Sequence, residues 1–219
     1  MARTAYAQGF THFAFTEHSL HPDYSDRTLI DDQVVPYMKE INRLKRQYAG
    51  KMHISLAMEV DYFDEYDGSG GYWPGGSWDN QVETVRRSLD FIIGSVHGLK
   101  CGDWYYACGN AEELVVYMKK HYFQNSIKKL ITAYYETQMR MIRRMRPDIL
   151  GHIDLIKKNN RDNQLYRENA RWVDELQRAV VDEAVKYDVA LEVNTGGISR
   201  SGLHAIYPTD RLLKYCRQK

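Results

Sequence analysis

The stretch "DFIIGSVHG", residues 90–98, decides how the chain is read. Phe91, Ile92 and Ile93 form an apolar run without polar alternation, the pattern of a strand covered on both faces in a parallel sheet. Gly94 lets another backbone or side chain come close, and His97 follows just past the run. In α/β proteins the carboxyl end of a strand is where chemistry is placed. Alone, such a histidine reads as a packed or solvated residue. Its meaning depends on the other strands.

Those strands are predicted at 11–18 (THFAFTEH), 53–61 (HISLAMEVD), 148–154 (DILGHID) and 189–197 (VALEVNTGG). Helical periodicity falls between and around them, at 2–8, 31–48, 79–88, 111–145 with a break, 164–187 and 208–217. Strand–helix alternation of this kind predicts an α/β fold with a parallel sheet and right-handed crossovers. No linker or repeat divides the chain, so residues 1–219 are expected to form a single domain. The Gly- and Trp-rich stretch 66–80 reads as a surface loop or a lid.

Each strand ends in residues that bind metals or anions. The endings are Glu17-His18, Glu59-Val60-Asp61, Ser95-Val96-His97, Gly151-His152-Ile153-Asp154 and Asn194-Thr195-Gly196-Gly197. If parallel strands present these ends at one rim, two or three imidazoles and a carboxylate suffice for Zn²⁺, Mn²⁺ or Fe²⁺, and a carboxylate can bridge two ions. His12, His53 and His121 lie inside strand or helix candidates and read as structural, whereas His21 and His204 stay open. "NTGGISR" (194–200) offers a turn of backbone N–H groups followed by Arg200, a combination suited to phosphate. Lys157 and Lys158, just beyond His152, are further cations in range of the same end.

Bulk composition narrows the classes. Thirty Lys and Arg against 29 Asp and Glu leave a net charge of +1, which argues against nucleic-acid binding through bulk electrostatics. No stretch approaches the apolar length of a membrane span, and the first ten residues lack a signal-peptide core, so no membrane partner and a cytoplasmic location are expected. Cys101, Cys108 and Cys216 form no CxxC and read as reduced thiols.

"AFTEH", "AMEVDYF", "DFIIGSVHGL", "ILGHIDLIKKNN" and "LEVNTGGISR" occur together in an order and spacing that resembles the PHP (polymerase and histidinol phosphatase) family, most nearly its histidinol-phosphate phosphatases. The resemblance implies a distorted (βα)7 barrel with up to three divalent ions, Zn, Mn or Fe, at its C-terminal mouth. It implies that His18 serves one metal site, that Glu59 bridges two ions, and that His97 and His152 complete a site with Glu59. Arg200 would contact phosphate, with Ser95 and Asp154 lining or bracing the pocket, beside Lys158, which its position after His152 already offers for phosphate. Glu59, His97, His152 and Arg200 would thus carry catalysis. The activity implied is hydrolysis of a small phosphorylated substrate, histidinol phosphate in histidine biosynthesis. The alternatives are another phosphoesterase of the family, or a non-catalytic remnant that binds metal or phosphate.

The chain departs from the family pattern at both ends. Neither an HxH motif nor an SDAH-like motif occurs in the 219 residues. The expectation is therefore an incomplete barrel, its first and last strands missing, with fewer ions than the family's three. A fragment or mispredicted gene product, a natural remnant, and strands supplied by a partner chain are the three explanations. Undamaged inner motifs favour the first.

Overall fold

A computed structural model of the protein describes residues 1–19, 31–62, 86–102, 104–109, 112–199 and 206–219. Helix α1 (Ala2–Ala7) leads into β1 (His12–His18), α2 (Asp31–Gln47) and β2 (His53–Asp61). Strand β3 (Phe91–Ser95) is followed by a hairpin of β4 (Gly98–Cys101) and β5 (Trp104–Ala107). Helices α3 (Glu112–His121) and α4 (Ile127–Met145), β6 (Ile149–Leu150), α5 (Arg171–Lys186), β7 (Ala190–Leu191), the single turn α6 (Gly196–Ser199) and α7 (Asp210–Cys216) complete the order. Five strands form one parallel sheet in the order β1-β2-β3-β6-β7, and the hairpin is a separate antiparallel pair. Order in the sheet follows order in the chain, without the reversal that defines a doubly wound fold. The expected α/β class with a parallel sheet is what the chain adopts.

Contacts group the chain into two compact units, the boundary falling within β3 between Ile93 and Gly94. In the first, α2 places Tyr37, Met38, Ile41 and Leu44 on one stripe at helical spacing. That stripe covers Phe15 of β1 and Ile54 and Leu56 of β2. Asp90 ties the edge of this unit: its carboxylate accepts from the Leu56 N–H at 2.7 Å, and its own N–H donates to the Leu56 carbonyl at 2.8 Å. Lys45 from α2 pairs with the same carboxylate.

The second unit is built on α4 and α5. Leu130, Ile131, Tyr134, Tyr135, Met141 and Ile142 of α4 are fully buried, as are Val173, Val180, Val181 and Ala184 of α5. Ser126 caps α4 by accepting from the Lys129 N–H at 3.3 Å, and Arg146 ends it in the left-handed region at φ 47°. Pro147 then forbids further helix and turns the chain toward β6.

Several elements differ from expectation, each for a local reason. The break expected within 111–145 falls at Gln124 and Asn125, both at positive φ, ahead of the Ser126 cap. α5 begins at Arg171 and not at 164, because side-chain carbonyls capture the intervening backbone: Asn160 Oδ1 accepts from Leu165 and Tyr166, and Asn163 Oδ1 from Glu168. Strands expected at 148–154 and 189–197 are only two residues long. Past them, side chains replace the ladder: the His152 N–H goes to Glu192 and the Gly196 N–H to Asn194. The β4–β5 hairpin was not expected at all. The stretch 66–80 and most of the helix expected at 79–88 lie outside the described residues.

Gly94 answers one question the sequence raises. A Cβ on it would meet the Pro147 ring carbons at 2.8 Å and Met141 Sδ at 3.2 Å. The Pro147 ring cannot rotate aside. Gly94→Ala is therefore expected to destabilise the protein by ~1–3 kcal/mol through overpacking, read as a lowered midpoint in urea unfolding; an unchanged midpoint would show that the contact is not tight.

Candidate metal and phosphate site

In the first unit, strand register creates a donor group. β1 and β2 pair in parallel from His12↔His53 to His18↔Glu59, so His18 stands directly opposite Glu59. Asp61 lies two residues beyond Glu59, on the same face of the strand. His18 Nε2 is 3.7 Å from Glu59 Oε2, and His18 Nδ1 is 4.0 Å from Asp61 Oδ1. The strand ends are fixed by the Ser19 N–H donating to the Glu59 carbonyl at 2.8 Å and the Asp61 N–H donating to Ser19 Oγ at 3.4 Å. Asp61 is buried and Glu59 largely so, while His18 is more open. Asp61 is one of the strand-end residues but was not assigned to a metal; the two-residue period from Glu59 was the signal for it.

The second unit brings two imidazoles together. The rings of His97 and His152 meet edge to face, with centroids 4.7 Å apart and a nitrogen of each within 4.8 Å of the other. His97 leaves β3 between two glycines that each meet a close neighbour. On Gly98 a Cβ would lie 2.8 Å from the Tyr106 carbonyl oxygen. The His97 carbonyl accepts from the Cys108 N–H at 2.7 Å, which ties the histidine to the hairpin. His152 is buried, and its backbone N–H donates to Glu192 Oε2 at 2.8 Å. Glu192 was missed from sequence; it sits in "LEVN" with no spacing relation to His152 that a single sequence reveals.

Ser95 is fully buried, and its carbonyl accepts from the Tyr62 N–H at 2.9 Å. Asp154 is fully buried too, paired with Lys157 Nζ at 2.9 Å and accepting from the Thr209 N–H at 3.0 Å. Burial holds its carboxyl above the usual carboxylate range, outweighing the attraction of Lys157. Lys157 also donates to the Ile206 carbonyl at 2.7 Å and lies over the Tyr207 ring at 4.9 Å. Of the two adjacent lysines, Lys157 is thus committed to an internal ion pair, whereas Lys158 is only half-buried. Arg200 lies outside the described residues, as do His21 and His204. His12 and His53 face each other at the opposite strand ends with centroids 5.5 Å apart, and His121 stacks on Tyr117 at 4.4 Å. The three cysteines are thiols; burial raises Cys101 to about 11 and pushes Cys108 higher still.

In the first unit an imidazole stands beside two carboxylates, and neutral imidazole and carboxylate are the donors that divalent ions of borderline softness take. The donor set fits a metal centre.

Comparison with known proteins agrees with the fold. The PHP domain model matches residues 1–196, and the chain belongs to the PHP domain family. Histidinol-phosphatase of Bacillus subtilis is 28% identical over 236 aligned positions, spanning all of this chain and 81% of that protein. A fission-yeast protein, "Probable histidinol-phosphatase" of Schizosaccharomyces pombe, is also 28% identical, over 96% of this chain and 67% of its own length. Among solved structures, a histidinol phosphatase assignment from Listeria monocytogenes superposes with a TM-score of 0.84 at 19% identity, covering this whole chain and 83% of that one. Histidinol phosphate phosphatase of Lactococcus lactis, complexed with zinc, L-histidinol and phosphate, superposes at 0.68 with 19% identity, over 99% and 73%. At such identities the structural likeness establishes the fold.

The two lysines give a discriminating prediction. Lys157→Met strands a buried carboxylate and is expected to cost ~3–5 kcal/mol of unfolding free energy. Lys158→Met should move stability by no more than about 0.5 kcal/mol. Equal effects in chemical denaturation would overturn the assignment of distinct roles.

Proposed function

We propose that this chain is a metal-dependent phosphate-monoester hydrolase acting on L-histidinol phosphate. The observation that carries the reading is the register of β1 and β2, which sets His18 opposite Glu59 at the carboxyl ends of a parallel sheet. Relatives that carry the histidinol-phosphatase name, and the zinc, histidinol and phosphate held by one solved relative, support the substrate and the metal. In this reading Glu59, His97 and His152 hold one divalent ion, with Glu59 shared toward a second that His18 and Asp61 serve. Zn²⁺, Mn²⁺ and Fe²⁺ all suit these donors.

A divalent ion held there would supply Lewis acidity and lower the pKa of water enough to make hydroxide available as nucleophile near neutral pH. The chain's own residues do the rest. Imidazoles must be neutral to serve as ligands, so binding weakens as pH falls through their titration. Arg200 and the Thr195 N–H of the Asn194–Gly197 turn receive the phosphate oxygens, the Asn194 and Gly196 N–H groups being committed to Tyr207 and Asn194 within the chain, and Lys158 and Ser95 border them. The burial of Asp61 and His152 keeps bulk water from the donors, which strengthens each electrostatic contact. Reduced thiols suit a cytoplasmic setting.

The test is phosphate release from L-histidinol phosphate by the purified chain, supplied in turn with Zn²⁺, Mn²⁺ and Fe²⁺, beside a panel of nucleotide monophosphates. Hydrolysis that prefers histidinol phosphate, stops with chelator, and falls to background in Glu59→Ala and His97→Ala is expected. Preference for nucleotides would redirect the substrate. Metal binding without hydrolysis of any phosphomonoester would make the chain a binding module and overturn the reading.

A further inference from the structure

Glu192 uses both of its carboxylate oxygens on different parts of the second unit. Oε2 accepts from the His152 backbone N–H at 2.8 Å, and Oε1 accepts from Asn194 Nδ2 at 3.0 Å. Asn194 has no choice of orientation, because its Oδ1 accepts from the Gly196 N–H at 2.7 Å. The amide group must therefore point at Glu192, and Glu192 must accept. Asn194 is held in turn by paired backbone bonds with Tyr207, at 2.7 and 2.9 Å. At the root of this chain the Glu192 N–H donates to the Leu150 carbonyl at 3.0 Å, so β6 and β7 deliver the carboxylate to its place.

We infer that Glu192 is a positioning residue that couples the His152 loop to the Asn194–Gly197 turn, setting the histidine and the phosphate-receiving backbone in one fixed relation. This rests on the functional reading above, which gives His152 to a metal and the turn to phosphate. Only a carboxylate meets both demands. Glutamine at 192 has one acceptor oxygen; if that oxygen serves His152, its NH₂ group faces the Asn194 NH₂ group, donor against donor.

The geometry specifies its own rescue. In the double variant Glu192→Gln/Asn194→Asp, the new amide accepts from His152 and donates to the new carboxylate, whose other oxygen accepts from Gly196. Every bond of the wild-type chain is rebuilt with the polarity of the middle link reversed.

The experiment measures Co²⁺ affinity by calorimetry and the inhibition constant of inorganic phosphate in wild type, Glu192→Gln, Glu192→Ala and the double variant. Amide hydrogen exchange at His152 and Gly196 is followed in the metal-free proteins. Glu192→Gln is expected to weaken Co²⁺ binding by roughly tenfold or more, as loss of an outer-shell partner does, and to weaken phosphate inhibition with it. The double variant should return both toward wild type. Slow exchange at both amides in Glu192→Ala overturns the coupling, as does a double variant no better than Glu192→Gln. A wild type that takes up neither Co²⁺ nor phosphate removes the functional reading instead, and exchange at the two amides still decides the coupling.

Discussion

One ladder of backbone hydrogen bonds governs what this protein can do. β1 and β2 pair in parallel with His12 against His53 and His18 against Glu59. Side chains alternate faces along a strand, so a slip of one residue would swing Glu59 and Asp61 away from His18 and bring Met58 or Val60 in their place. The register is held by burial. Phe15, Ile54 and Leu56 must lie under the apolar stripe of α2, and any other pairing would expose them. The chemistry at one end of the strands is thus specified by packing along their length.

The second unit solves the same problem with short strands. β6 and β7 contribute two paired residues each, too few to fix a loop by the ladder alone. Side chains take over where backbone pairing stops. Glu192 and Asn194 hold the loop and the turn beyond the strands, and the Asp154–Lys157 pair ties the residues after His152 to Ile206 and Thr209. The Asp154–Lys157 pair is buried, and such a pair is costly when one partner is lost, which makes the arrangement stiff as well as specific.

Close approach is the other device. Glycines flank His97 at two places where a Cβ could not fit, one against the Pro147 ring and one against the hairpin backbone. The histidine therefore leaves β3 along a path set by neighbours on both sides. Its ring then meets that of His152.

The sequence by itself determined the strand–helix alternation, the long strands β1 and β2, the helices α2, α4 and most of α5, and the metal-binding residue types at strand ends. These are local in origin, since periodicity and apolar runs are written in neighbouring residues. The family of the chain was legible for the same reason: its motifs are short and contiguous. Tertiary structure decided the rest. That His18 faces Glu59 and Asp61 and that Glu192 reaches His152 depend on pairings between residues distant in the chain, while the 98–107 hairpin and the Asp154–Lys157 pair are close in sequence and are set by what packs around them. Adjacent lysines look alike in sequence. Burial of one beside Asp154 is a property of the packed chain, and no pattern of neighbouring residues encodes it.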